Sequence, residues 1–119
     1  MRFKTLFKNY SIDLWLDDER DPKNPIIIQN FGSRPSMVWV KSVPEAKELI
    51  STGRVNFISF DNDLGLPEEG KDLAKWIEEQ AFNNNLKPIR WRVHSMNSTG
   101  RKEIMVAMQN ADRFWSLGN

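Results

Sequence analysis

Cysteine is absent from this chain, and histidine occurs only once, as His94. The absence of cysteine excludes disulfides, thiolate metal sites and a cysteine nucleophile. A zinc site is disfavoured as well, because a single histidine supplies too few of the ligands that zinc prefers. Any chemistry in this protein must therefore rest on carboxylates, hydroxyls, amides, cationic side chains and one imidazole.

Long hydrophobic runs and an excess of charge of either sign are also missing. No apolar run approaches the ~20 residues that a membrane helix needs, so we expect no membrane association. The formal net charge is +1, which predicts no strong binding to duplex nucleic acid. The first residues, Met1-Arg2-Phe3-Lys4, lack the apolar core of a signal peptide, so a cytoplasmic protein is expected.

The length of 119 residues predicts one domain, residues 1–119. Short apolar runs bounded by polar residues predict four strands, at Ser11–Leu16, Met37–Val40, Val55–Phe60 and Ile89–Val93. Apolar residues at helical spacing predict three helices, from Val43 to about Ser51, over Lys71–Phe82 and from about Thr99 to Trp115. This alternation is typical of an α/β fold with a parallel sheet and helices packed on it.

Two segments are less regular. The segment Asp21–Ser36 contains three prolines and a glycine, which argues against a long helix, and Ile26–Ile28 is interpreted as a short strand or a packed loop. The segment Arg2–Phe7 alternates polar and apolar residues and is interpreted as an edge strand or a tail docked on the sheet.

Acidic and imidazole side chains follow three of the predicted strands. Asp17 and Asp18 come directly after the first strand, Asp61 and Asp63 after the third, and His94 after the fourth. In open parallel sheets, ligands bind outside the carboxyl ends of the strands, so these groups are expected in one pocket. Neighbouring buried carboxylates repel each other, and a bound cation would relieve that repulsion. Carboxylate oxygens favour Mg²⁺ or Mn²⁺.

The residues around His94 add a possible anion site. An imidazole serves as a general acid or base near neutral pH. Ser95, Asn97 and the backbone around Gly100 precede the last predicted helix, where unpaired N–H groups and the helix dipole stabilise an anion. Arg20 and Arg101 could clamp a phosphate through paired hydrogen bonds. Cation, phosphate clamp and imidazole together indicate phosphoryl chemistry.

Each motif also has a purely structural interpretation. The acidic run Asp17–Arg20 could be a solvated turn, and Asp61–Asp63 could be a turn held by side-chain-to-backbone hydrogen bonds. A lone histidine is more often structural than catalytic. Arg101 and its neighbour Lys102 could simply be exposed on the last helix.

Three motifs resemble the cyclic-phosphate processing receiver-like domain family of bacteria and phages. They read LDDER at Leu16–Arg20, SFDNDLG at Ser59–Gly65 and HSMNSTGR at His94–Arg101. The resemblance extends from about Ile12 to Arg113. It implies a single-domain, three-layer, receiver-like (flavodoxin-like) fold. The sheet would have about four mostly parallel strands with helices on both faces, and no receiver-type fifth strand.

The resemblance also implies roles for particular residues. The metal ligands would be Asp17, Asp18 and Asp61, which match the acidic positions of a receiver. The catalytic residues would be His94 and Asp63. The phosphate-binding residues would be Arg20, Ser95, Asn97, Gly100 and Arg101. Either Asp61 or Asp63 could be the acid that ends the third strand.

The sequence departs from the family pattern in two places and from ordinary receivers in one. Asn62 stands where the group often has histidine, and Ser98 where it often has proline. The chain ends before a fifth strand, so the lysine that receivers carry there is missing. That lysine reads the acyl phosphate in a receiver, so its absence argues against ordinary phosphorelay signalling.

Three functions are therefore compared. The first is a Mg²⁺-dependent (or Mn²⁺-dependent) phosphoesterase acting on a 2′,3′-cyclic RNA end or a cyclic nucleotide. The second is a non-catalytic nucleotide-binding or phosphate-binding module, such as a phage product that sequesters a signal. The third is a receiver-like interaction domain phosphorylated on Asp61 or Asp63. In each case the expected location is the cytoplasm of a bacterium or of a phage-infected bacterium.

Overall fold

The computed structural model describes residues 11–118, so the predicted edge strand or docked tail at Arg2–Phe7 lies outside the described residues. The strands are β1 (Ile12–Leu16), β2 (Val38–Val40), β3 (Val55–Phe60) and β4 (Arg90–Val93). The helices are α1 (Pro25–Phe31), α2 (Val43–Ile50), α3 (Gly70–Phe82) and α4 (Ser98–Gly118). All four predicted strands and all three predicted helices are confirmed, with shifts of a few residues at their ends.

Within residues 11–118, the strands form one sheet in the order β2-β1-β3-β4. Every neighbouring pair is parallel. The result is the predicted receiver-like α/β fold. Because the strands are parallel, β1, β3 and β4 all end at the same edge of the sheet. None of the helices in this part of the chain has both the length and the apolar character to cross a membrane.

The prediction of a strand or loop at Ile26–Ile28 was wrong, because these residues lie in α1. The side chain of Asn24 caps the helix by accepting a hydrogen bond from the backbone N–H of Ile26. Pro25 suits the first turn, where its missing N–H costs nothing. Gly32 ends the helix in the left-handed conformation, with φ at 75°. These end signals outweigh the strand preference of three isoleucines, although α1 has only seven residues, as the prediction of no long helix requires.

One side of the sheet, which we call the closed face, carries the hydrophobic core. Leu14 of β1 pairs with Ile58 of β3, and Leu16 pairs with Phe60. All four are completely buried and belong to one cluster with side chains from α2, α3 and α4. Since parallel strands in such folds are covered on both faces, the other side needs its own cover.

The other side, which we call the polar face, carries Trp15, Ser59 and Arg92, which pair across three strands. Its helix is α1, which has no fully buried residue. The Arg92 guanidinium donates hydrogen bonds to the carbonyls of Phe31 and Gly32, at 2.9 and 3.1 Å. Arg92 therefore ties the end of α1 to the edge strand β4.

Candidate functional site

Asp17 directly follows β1 and is completely buried. Its Oδ1 accepts hydrogen bonds from the backbone N–H groups of Glu19 and Arg20, both at 2.9 Å. Its Oδ2 lies 3.0 Å from Nε2 of His94 and 3.1 Å from Nη1 of Arg20. The Trp39 indole donates to the backbone carbonyl of Asp17. Hydrogen bonds therefore hold Asp17 at its backbone carbonyl and at both of its carboxylate oxygens.

The hydrogen bonds around Asp17 keep it ionised. Burial alone would raise the pKa of its carboxyl group, because a charged group loses hydration. The hydrogen bonds from His94, from the backbone of Arg20 and Glu19, and from the Arg20 side chain outweigh that effect. Together they lower the pKa of Asp17 to about 2.

His94 follows β4 and is enclosed on all sides. Its ring stacks on the Trp15 indole, with centroids 3.8 Å apart and planes 4° from parallel. The Phe31 ring approaches it edge-on at 6.5 Å. Its Nδ1 lies 2.8 Å from Oγ of Ser59. Burial lowers the pKa of His94, and the hydrogen bond to Asp17 opposes that shift.

Asp61 follows β3 and is the least compensated of the buried acids. Its Oδ2 lies 3.8 Å from Nη1 of Arg20, beyond hydrogen-bond distance. Burial and the negative charge of Asp17 raise the pKa of Asp61 to about 6, although the backbone N–H of Asn62 and the charge of Arg20 oppose the shift. A cation beside Asp61 would remove this cost.

Arg20 supplies the positive charge nearest to both carboxylates. Its guanidinium also lies over the Phe31 ring, 4.4 Å from the centroid. This contact is a cation–π interaction, in which the ring face attracts the charge. Phe31 therefore supports Arg20 as well as the ring of His94.

An open cavity of about 280 Å³ lies beside these groups. Most of its lining is polar, and the lining residues are Asp18, Glu19, Arg20, Asp61, Asp63, Gly65 and Met96. Four of these seven residues are acidic, against one arginine. An anionic ligand would be repelled here unless a cation accompanied it.

Asn62 and Asn97 connect the cavity to the starts of α3 and α4. The Asp63 carboxylate accepts hydrogen bonds from the amides of Asn97 and Asn62, each at 3.1 Å. The Asn97 carbonyl oxygen accepts from the backbone N–H of Gly100, which caps α4. The Asn62 carbonyl oxygen accepts from the backbone N–H of Lys71 at the start of α3. Asn62 also packs against Gly100, where a Cβ atom would collide with it.

The structure brings many of the predicted site residues together. Asp17, Asp61 and His94 offer ligand atoms within 4.8 Å of one another. Asp18, Arg20 and Asp63 line the cavity, and Asn97 reaches Asp63. The roles assigned to these residues stay predictions.

Besides Asn97, three predicted phosphate-binding residues lie outside the cavity lining. Ser95 is buried, and its hydroxyl accepts a hydrogen bond from the backbone N–H of Asn97. Gly100 is buried beneath Asn62. The Arg101 guanidinium donates to the carbonyl of Val93 at 3.0 Å. In this structure these three residues hold the β4–α4 connection.

Sequence reasoning assigned no role to Trp15, Ser59 or Phe31, which surround His94 and Arg20. Ser59 had a detectable signal, because it is the one hydroxyl in the apolar run Phe57–Phe60. Phe31 had none, because its helix was not predicted. Trp15 is completely buried, and its stacking on His94 cannot be read from residue type alone.

Two carboxylates in this site could hold a cation directly. Asp18 and Asp61 line the cavity and are not saturated by hydrogen bonds. Both oxygens of Asp17 already accept two donors each, and both ring nitrogens of His94 are bonded inside the protein. The cavity therefore offers hard oxygen ligands, which suit Mg²⁺ or Mn²⁺.

Residues 12–110 match the family described as the cyclic-phosphate processing receiver domain. Neither a comparison with curated proteins nor one with solved structures gives a match. The matched residues run from β1 into α4 and include every residue of the site described above. This chain therefore belongs to the cyclic-phosphate processing receiver domain family.

Proposed function

We propose that this protein is a divalent-cation-dependent phosphoesterase that opens a cyclic phosphate, either a 2′,3′-cyclic RNA end or a cyclic nucleotide. The observation that carries the proposal is the convergence of Asp17, Asp61 and His94 beside an acidic cavity. Membership of a family tied to cyclic-phosphate processing points to the same class of substrate.

The charge of the cavity supports the need for a cation. A cyclic phosphodiester is an anion, and four acidic residues in the lining would oppose its entry. We propose that Asp18 and Asp61 hold Mg²⁺ or Mn²⁺ and that Asp17 adds its negative charge from beneath. A bound cation of this kind polarises phosphoryl oxygens and offsets the charge that develops on them.

The chain's own residues supply orientation and proton transfer in this proposal. Arg20 binds a non-bridging phosphate oxygen from the floor of the cavity. Asp63 is exposed in the lining, held by Asn97, and accepts a proton from the attacking water. The water oxygen bonds to phosphorus, the ring P–O bond breaks, and the leaving oxygen takes a proton from solvent. His94 contributes indirectly, by donating a hydrogen bond that orients Asp17.

Turnover of a panel of cyclic phosphates, followed by ³¹P NMR, tests the proposal. We expect opening of the ring with Mg²⁺ or Mn²⁺ and none in EDTA. Asp61→Asn should lower the rate by about 100-fold or more, because it removes a proposed metal ligand. Glu48→Gln, an exposed acid on α2, is the matched control and should turn over normally. No opening of any panel member with either cation would contradict the proposal.

A non-catalytic binding module is the second candidate, and Asn62 favours it. Where the family often has histidine, this chain has an amide that is fully engaged with Asp63, Lys71 and Gly100. An amide cannot act as a general acid or base near neutral pH. Calorimetric titration followed by long incubation separates the two candidates, since a binding module leaves the cyclic phosphate intact.

A further inference from the structure

Ser59 is a buried polar residue that the proposed mechanism does not use. It lies in the middle of the sheet, between β1 and β4, and none of its surface is exposed. A buried hydroxyl in a central strand is costly unless it is hydrogen-bonded. Its partner is Nδ1 of His94, at 2.8 Å.

The proton positions along Ser59, His94 and Asp17 follow from their partners. The Asp17 carboxylate is ionised and can only accept hydrogen bonds, so Nε2 of His94 must carry the proton between them. A neutral imidazole then has a lone pair on Nδ1, and the hydroxyl of Ser59 must be the donor. We infer that Ser59 is a positioning residue: by donating to Nδ1 it holds the His94 ring so that the Nε2–H group required by Asp17 points at the Asp17 carboxylate.

The surroundings of His94 prevent the ring from satisfying Asp17 in another way. Stacking on Trp15 fixes the plane of the ring, and Phe31 lies against its edge. Turning the ring over would place C–H groups where the two nitrogens now bond. Asp17 therefore decides which nitrogen is protonated, while Ser59 and the aromatic rings hold that nitrogen in place.

The three residue types resemble a hydrolase triad, but Ser59 is not a nucleophile here. A triad serine must reach the substrate, whereas Ser59 has no exposed surface. His94 does not line the cavity either. Ser59 and His94 instead orient Asp17 through their hydrogen bonds, as residues bonded to metal ligands orient those ligands.

NMR tests the tautomer without reference to any activity. His94 is the only histidine, so one set of imidazole ¹⁵N signals reports it. At pH 8 we expect the wild-type protein to have a single His94 tautomer, with the proton on Nε2. In Ser59→Ala we expect ¹⁵N signals from more than one tautomer. A predominant Nδ1–H tautomer, or an even mixture in the wild type, would overturn the inference.

Ser33→Ala is the matched control for this experiment. Ser33 is also buried, and its hydroxyl donates to the carbonyl of Pro22 at 2.8 Å, away from His94. Its removal should leave the His94 signals unchanged. A change as large as that in Ser59→Ala would mean that the loss of any buried hydroxyl disturbs the ring, and would overturn the specific role of Ser59.

A second experiment distinguishes a positioning role of His94 from a role in proton transfer. This experiment rests on the proposed function. The side-chain amide of His94→Gln can still donate to Asp17, whereas His94→Ala cannot. We expect His94→Ala to weaken Mn²⁺ binding about tenfold and His94→Gln to restore most of it. Normal Mn²⁺ binding in both variants with an equal loss of turnover would overturn the positioning role. Absence of Mn²⁺ binding by the wild type would refute the proposed function, while the NMR result would still decide the role of Ser59.

Discussion

The closed face and the polar face of the sheet are built from the same strands but contain different parts of the protein. The closed face carries the apolar core, and the polar face carries the candidate site. In β1, Leu14 and Leu16 enter the apolar core, while Trp15 and Asp17 lie on the opposite side. Side chains alternate along a strand, so one short segment contributes to both faces. Among the helices of residues 11–118, three cover the closed face, and one of seven residues covers the polar face.

The two faces separate the residues that stabilise the fold from the residues of the candidate site. The closed face gains free energy from apolar burial and carries no titratable group in its cluster. The polar face buries Asp17, Asp61 and His94, and the raised pKa of Asp61 shows that one of these charges is poorly compensated. Functional sites are commonly built at a cost in stability. Removing the poorly compensated charge of Asp61 should therefore differ in sign from removing core volume on the closed face.

The largest effect is expected on the closed face. Ile58→Ala removes a fully buried side chain of β3 and leaves a cavity, so the free energy of unfolding should fall by about 3–4 kcal/mol. Urea denaturation measures it. Val106→Ala on the exposed side of α4 is the control and should change stability by less than about 0.5 kcal/mol. A similar loss in both variants would contradict the described core.

On the polar face, Asp61→Asn should stabilise the protein. The folded pKa of about 6 lies above the ordinary value of 3.8, so the free energy of unfolding falls as pH rises between these values. At pH 8, in EDTA, the substitution should therefore raise the free energy of unfolding by about 3 kcal/mol. Near pH 4 the two proteins should be nearly equal. Lower stability of Asp61→Asn at pH 8 would show that Asp61 is better compensated than its surroundings indicate.

Arg92→Met tests the anchor of α1. It removes two hydrogen bonds to the carbonyls of Phe31 and Gly32, so we expect a loss of about 1 kcal/mol. Amide hydrogen exchange should quicken in α1 and remain unchanged in α3. Arg90→Met, on the same strand, is the matched control. Equal exchange in α1 for both variants would mean that Arg92 does not hold the helix.

The smallest effect is expected from Asn24→Ala, which removes the cap of α1. The loss should be about 0.5–1 kcal/mol, because only one helix-end N–H group loses its partner. Gln29→Ala, in the exposed middle of α1, should have little effect. A loss above about 2 kcal/mol from Asn24→Ala would show that the polar face depends on α1 more strongly than its shallow burial indicates.

Much of the fold could be predicted because the relevant signals are local. Apolar runs such as Phe57–Phe60 and the capping arrangement at Ser42 and Glu45 determine their own segments. The convergence of Asp17, Asp61 and His94 followed from a topological rule about the ends of parallel strands. Helix α1 was missed because the prolines and the glycine of this segment argued against a long helix, whereas Pro25 and Gly32 mark the start and the end of a short one.

The division of the site into exposed and buried groups could not be predicted. Asp17 and Asp18 are adjacent in sequence, yet one is fully buried with four hydrogen bonds and the other lines the cavity. Neighbours in an extended segment point in opposite directions, and only the packing of other strands decides which direction is interior. The partners of His94 come from β1 and β3, far from it in sequence.

The sequence by itself determined the alternation of strands and helices, the absence of thiol chemistry, and the acids at the strand ends, because each depends on residue type and short-range order. Only the tertiary structure decided that His94 lies behind Asp17, between Trp15 and Ser59, instead of in the cavity lining. The physical reason is that burial, tautomer and pKa depend on groups brought together from three separate strands, and these distances are set when the sheet assembles.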